Sequence, residues 1–349
     1  KIKKDYANGR LPHFIQSFKY KDIITDIAIS RSVLNYYLYQ TNVDGYIWIL
    51  DDDMELSENI IKDNALTSRP IDIDRIISKY ENSCDAIVGG YSNDPPLPTL
   101  SILRKSLLDY TYTYFSNALP VSDQTIDDYY YDLSDNSRKT LETPTAVISP
   151  SLYKAFSGKA ISRPLYSAKK DSNIVRGRGG NTIIFNKKLL LIPNLSIDLG
   201  EFVARRGDFF WVQQVIKSGF KILSGNFSLK QTREITPFNF NKELKKLIKD
   251  LVGSSFTKAY QDSIDSKTEI TNHIDYFFDK YQSHYNNRVT LFILSLFRIQ
   301  GLLSILKQYE NIAPFEDEFK KISIESIAHS LKKYRNPVSI RVAYNKLIQ

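Results

Sequence analysis

The run Tyr46 to Asp53 reads YIWILDDD, and the fold is read outward from it. Five consecutive apolar, β-prone residues follow the turn-prone pair Asp44-Gly45 and stop at three carboxylates. That pattern predicts a buried parallel strand ending in an acidic loop. Upstream, Ser30 to Gln40 carries Val33, Leu34, Tyr37 and Leu38 at helical spacing. Downstream, Ile71 to Tyr80 follows Pro70 as a helix does, and Asp85 to Gly90 (DAIVGG) predicts the next strand. Helix and strand alternate, so the expected class is α/β.

Further along, Asp94 to Pro98 (DPPLP) is an extended break, Leu100 to Phe115 is a weak helical pattern, and 120–145 is an acidic, tyrosine-rich excursion without a period. Ser172 to Asn181 (SNIVRGRGGN) is a basic Gly-rich loop feeding a strand over Thr182 to Phe185, and Asn186 opens a short turn. Asp208 stands where the N-cap would stand for a helix through Phe209, Val212, Val215 and Ile216. Gly219 ends that helix, and Phe220 to Leu223 returns as a strand. Beyond Pro237 apolar residues recur at helical spacing among many lysines. The expected organisation is an α/β domain over 1–236 and a helical region over 237–349.

Composition narrows the function classes. Hydrophobic residues make up 42% and charged residues 25% of 349, which is ordinary globular usage. One cysteine, Cys84, excludes an internal disulfide, and the scattered His13, His273, His284 and His329 match no zinc-ligand spacing. The net charge of +8 suits an anionic partner such as a nucleotide or an acidic membrane surface, but no nucleic-acid recognition module is present. The longest apolar run, Leu291 to Leu306, is interrupted by Arg298, Gln300 and Gly301 and is short for a bilayer span, so it reads as a buried or amphipathic helix. The chain opens on Lys1 without an apolar leader core, which predicts a sequence trimmed from a longer one. No Walker loop, GxSxG elbow, HExxH, CxxC or kinase signature occurs.

In an extended segment residues i and i+2 share a face, so Asp51 and Asp53 converge while Asp52 points elsewhere. Two such carboxylates suit Mg²⁺ or Mn²⁺, whose shell substrate phosphates complete. They also follow the carboxyl end of a strand, where open α/β sheets bind ligands. The plain alternative is a solvated loop, or the acidic start of a helix over Met54 to Ile61.

Ile29 to Leu56 (ISRSVLNYYLYQTNVDGYIWILDDDMEL) resembles the GT-A glycosyltransferases of the nucleotide-diphospho-sugar transferase fold, especially the family-two-like group. A second block, Arg178 to Phe185 (RGGNTIIF) followed by Ala204 to Ile222 (ARRGDFFWVQQVIKSGFKI), resembles the later half of the same fold. The resemblance implies a mostly parallel central sheet flanked by helices, with the nucleotide-binding region before Asp51 either abbreviated or continued upstream of residue 1. It implies that Arg31, Asp51, Asp52, Arg178, Gly179, Gly180 and Asn181 bind the nucleotide sugar and that Asp51 and Asp53 hold Mn²⁺ or Mg²⁺. Asp208 takes the place of the general base of inverting members, with Arg206 and Trp211 on the acceptor side. The implied partners are a UDP-sugar donor and a glycan, lipid-linked or protein acceptor. The implied location is the cytoplasm, with peripheral contact at the cytoplasmic face of a membrane. Two positions depart from the family: Ser32 replaces the usual Asn, and Gly207-Asp208 replaces the usual Glu-Asp. Two rivals remain at the level of residues. One is a nucleotidyltransferase or phosphohydrolase built on Asp51 and Asp53; the other is a non-catalytic module on a degenerate transferase fold.

Overall fold

The computed structural model describes residues 1–16, 20, 27–41, 44–51, 53–62, 65–91, 182–197, 203–204, 206–231, 240–266, 273–306, 317, 319–335 and 338–348. The readings at Asp94 to Pro98, Leu100 to Phe115, 120–145 and Ser172 to Asn181 lie outside the described residues.

Two short helices, α1 (Ile2–Ala7) and α2 (His13–Gln16), precede α3 (Ile27–Gln40), which leads to β1 (Tyr46–Trp48). Leu11, Ile15, Ile29 and Val33 form a small core between these helices. Tyr37 of α3 donates to Asp5 of α1 at 2.6 Å, and burial together with that carboxylate pushes its phenol up to about 12. Next come β2 (Met54–Glu55), β3 (Ser57–Lys62) and β4 (Ala65–Pro70), so the segment after the aspartates is extended, not helical. Helix α4 (Ile73–Tyr80) starts at Asp72, whose side chain accepts from the Arg75 amide. Strands β5 (Ala86–Tyr91) and β6 (Ile183–Asn186), helix α5 (Gly207–Lys217) and β7 (Ile222–Gln231) follow. The C-terminal part is helical as expected: α6 (Phe240–Asp265), α7 (His273–Leu306), α8 (Ile324–Leu331) and α9 (Val338–Ile348). The apolar run of Leu291 to Leu306 lies within α7, and among the described residues no helix is long and apolar enough to cross a membrane.

The five-stranded sheet has the order β1-β6-β5-β7-β2. It is mixed rather than mostly parallel: β1 and β5 each pair antiparallel with β6, β2 pairs antiparallel with β7, and β5 pairs parallel with β7. β1 is therefore not the parallel strand that its apolar run predicted. Nor is it the buried strand expected: it ends at Trp48 on the sheet's edge, where Ile47 is buried, Tyr46 and Trp48 are half-buried and Leu50 is exposed, because an apolar run fixes neither chain direction nor a strand's place in the sheet. Alternate residues of the strands enter different cores. Ile47, Phe185, Ala86, Val88 and Ile222 pack on one face with Trp211, Val212 and Val215 of α5. Ile184, Ile87 and Leu223 pack on the other with Tyr80 of α4, Cys84 and Phe227, and Trp48 meets the Phe227 ring edge at 5.7 Å. The expected α/β class is thus met, with α5 on one face of the mixed sheet and α4 against the other.

Two features hold the sheet's register. Phe227 fills the space left by Gly89 and Gly225; a methyl group on Gly225 would stand 2.5 Å from Ile87 Cγ2. The β3–β4 hairpin is tied to β7 by the buried Glu58, which accepts from the Ser228 amide at 3.3 Å and pairs with Arg69.

The largest core lies among the C-terminal helices and reaches back into the α/β part. Phe209 and Phe210 of α5 are buried with Leu251, Phe256 and Tyr260 of α6 and with Phe277 of α7. Phe210 meets Phe256 edge to face at 5.2 Å, and Phe256 meets Phe277 at 4.9 Å.

Candidate functional site

β1 delivers Asp51 and Asp53 to the end of the strand, and α3 runs beside it. Arg31, in the first half of α3, donates to Asp51 Oδ1 at 3.3 Å. This contact occupies one oxygen of the first aspartate and leaves Asp53 on the same turn as the second carboxylate. Asp52 lies outside the described residues, as do Arg178, Gly179, Gly180 and Asn181.

Asp208 reaches the site from the opposite side of the chain. It is not the N-cap of α5: Arg206 takes that position in left-handed backbone (φ 99°), and Asp208 is the second residue of the helix. Arg206 is the only non-glycine with positive φ among the described residues, and it is held there by its side chain. The guanidinium is buried, donates to Ser254 Oγ at 2.6 Å and stands 3.9 Å from Asp250 Oδ1, both on α6. Arg206, expected on the acceptor side, thus faces the C-terminal helices. The first turn of α5 lies tight on α3 at Gly207: an added Cβ would stand 3.1 Å from Ala28 Cβ.

Between α3, β6 and α5 is a cavity of about 30 Å³, lined by Arg31, Asn35, Ile49, Ile183, Phe185, Asn194, Asp208 and Trp211. Arg31 and Asn35 are one turn apart on α3, and Asp208 and Trp211 are one turn apart on α5, so each helix presents one face to it. Ser32 fixes a third wall: its hydroxyl accepts from the Asn194 amide at 2.8 Å. Ser32 is therefore a buried brace for the 193–195 segment. Trp211, expected on the acceptor side, packs its ring in the core on Phe185 at 5.2 Å and also lines the cavity.

Burial pushes the Asp208 carboxyl up from the usual range; Arg206 and Arg31 oppose the shift without cancelling it, as do the Phe209 and Asp208 amides. A carboxylate raised in this way is a better proton acceptor when ionised. Among the described residues no group of three or more His, Cys, Asp or Glu is placed to hold a metal ion. The donor set that is present, Asp51 and Asp53, is the two-carboxylate kind that binds Mg²⁺ or Mn²⁺ jointly with a phosphate ligand.

Reasoning from sequence missed Asn35 and Asn194. Asn35 carried a legible signal, since Asn is a poor helix former and here stands mid-helix one turn from Arg31. Asn194 carried none, because the backbone of Asn194 makes the contact with Ser32. No protein-family model, no curated protein and no solved structure matches the chain.

Proposed function

We propose that the chain is a metal-dependent glycosyltransferase that moves a sugar from a nucleotide diphosphate donor to an acceptor hydroxyl with inversion. The observation that carries this reading is the convergence on Arg31. Its guanidinium pairs with Asp51 after β1, and it acts electrostatically on Asp208 at the start of α5, although the two aspartates are far apart in sequence.

In the reaction, Asp208 accepts the proton of the acceptor hydroxyl as its oxygen bonds to the anomeric carbon. The bond from that carbon to the diphosphate oxygen breaks, and the nucleoside diphosphate leaves with the electron pair. A divalent cation on Asp51 and Asp53 would supply Lewis-acid stabilisation to the leaving phosphates. Arg31 neutralises Asp51 and holds the acidic loop against α3.

Thermal shift and calorimetry with nucleoside diphosphates and their sugar conjugates, with and without Mn²⁺, test the reading on wild type and Asp53→Ala. A ligand that binds the native state raises the melting temperature by mass action. The expected result is one nucleotide that stabilises only with metal and only when Asp53 is intact, with nucleoside diphosphate released on turnover. Release of pyrophosphate or inorganic phosphate would instead assign a nucleotidyltransferase or a phosphohydrolase.

A further inference from the structure

Arg206 is the strained residue of the site. Its backbone lies at φ 99° and ψ 22°, left-handed space that side chains rarely enter, and the residue is buried. Such a conformation persists only where the surroundings over-determine it, and residues of this kind gather at functional sites. What over-determines Arg206 is α6: its guanidinium donates to Ser254 Oγ at 2.6 Å and stands 3.9 Å from Asp250 Oδ1.

The same residue opens α5. Its carbonyl accepts the Phe210 amide at 3.3 Å, and Phe210 is itself seated on α6 through Phe256. Arg206 and Phe210 therefore fasten the first turn of α5 to α6 at both ends. Asp208, about 200° round the helix from Phe210, is left to line the cavity. Charge follows the same path. Burial raises the Asp208 carboxyl, and Arg206 is the strongest of the groups that pull it back, ahead of Arg31. Arg31 is the other charged group in the cavity wall and is paired with Asp51; the rest of that wall carries no charge.

We propose that Arg206 is a positioning residue for Asp208: locked by Ser254 and Asp250, it sets where α5 begins and keeps a buried cation in electrostatic reach of the carboxyl, which makes α6 part of the candidate site. The proposal rests on the transferase reading only in taking Asp208 as the proton acceptor. In that reaction α6 acts on the base through Arg206.

The titration of Asp208 is read directly on the full chain with ¹³C-labelled aspartate, its carboxyl signal assigned by Asp208→Asn. Arg206→Met combined with Asp250→Leu removes both charges of the buried pair together, a change that folded proteins tolerate well. With the cation gone, Asp208 is expected to hold its proton roughly tenfold more tightly than in the wild type. Asp250→Asn removes the anion that offsets Arg206, so there Asp208 is expected to hold its proton roughly threefold less tightly. A pair that only stabilises the helix start has no reason to move the titration in opposite senses. Any other pattern, with either variant titrating as the wild type does or both moving the same way, overturns the proposal. No nucleotide, metal or turnover enters this measurement, so its failure is distinct from failure of the transferase reading, which is read from nucleotide and metal at Asp53.

Discussion

Asp208 couples charge to stability in a way that can be measured. Its carboxyl is held above the usual range by burial, so the folded chain binds this proton more tightly than the unfolded chain does. The associated stability is fully present below the ordinary carboxylate range and is lost as pH rises through the folded-state value. Asp208→Asn is therefore expected to melt no lower than wild type at neutral pH while turnover falls by roughly 10²- to 10⁴-fold. Differential scanning calorimetry and an initial-rate assay check the two halves separately. The acidic limb of the kcat/KM profile should lie above the range of a free carboxylate, and Arg31→Gln should move it higher still, because Arg31 opposes the shift. Arg206 behaves differently. Its loss removes the buried positive charge 3.9 Å from the buried Asp250, so Arg206→Met should cost about 3–5 kcal/mol in urea unfolding. The double variant Arg206→Met with Asp250→Leu should recover much of that loss.

Helix α5 is the element on which the site depends, and its start is where reading from sequence ran short. The helix and its end at Gly219 were legible from periodicity and punctuation, and so was a strand after it, although that strand runs over Ile222–Gln231 and not Phe220 to Leu223. The cap was not, because the preference of Asp for that position yielded to the burial of Arg206 against α6, a contact 44 to 48 residues away. Strand direction was illegible for a similar reason. The apolar run of β1 tells neither its direction nor its place at the sheet's edge, and its antiparallel partner Ile183–Asn186 is set by distant chain. The acidic loop, Arg31 and Asp208 were visible as residue types in motif order. The Ser32 and Asn35 face of α3 became meaningful only once α5 lay against it. Gly207 expresses this closeness: Gly207→Glu should destabilise by about 1–3 kcal/mol, measured by chemical denaturation, as α5 is forced off Ala28.

Across the whole molecule, the candidate base sits on a helix with two cores. Trp211, Val212 and Val215 of α5 belong to the sheet, whereas Phe209 and Phe210 belong to the C-terminal helices. Unfolding of either core exposes residues of the same helix, so calorimetry is expected to show one transition, with calorimetric and van't Hoff enthalpies in agreement. Two resolved transitions would mean that α5 tolerates the loss of one partner. The strand order bears on how the chain is made. β1 leaves the ribosome early, but its ladder partner emerges roughly 140 residues later, on the order of 10 s at common synthesis rates. Until then YIWIL is an unsatisfied, sticky edge on a nascent chain. Such late pairing gives slow folding and an interval of aggregation risk, in which holding by chaperones governs the yield of native protein.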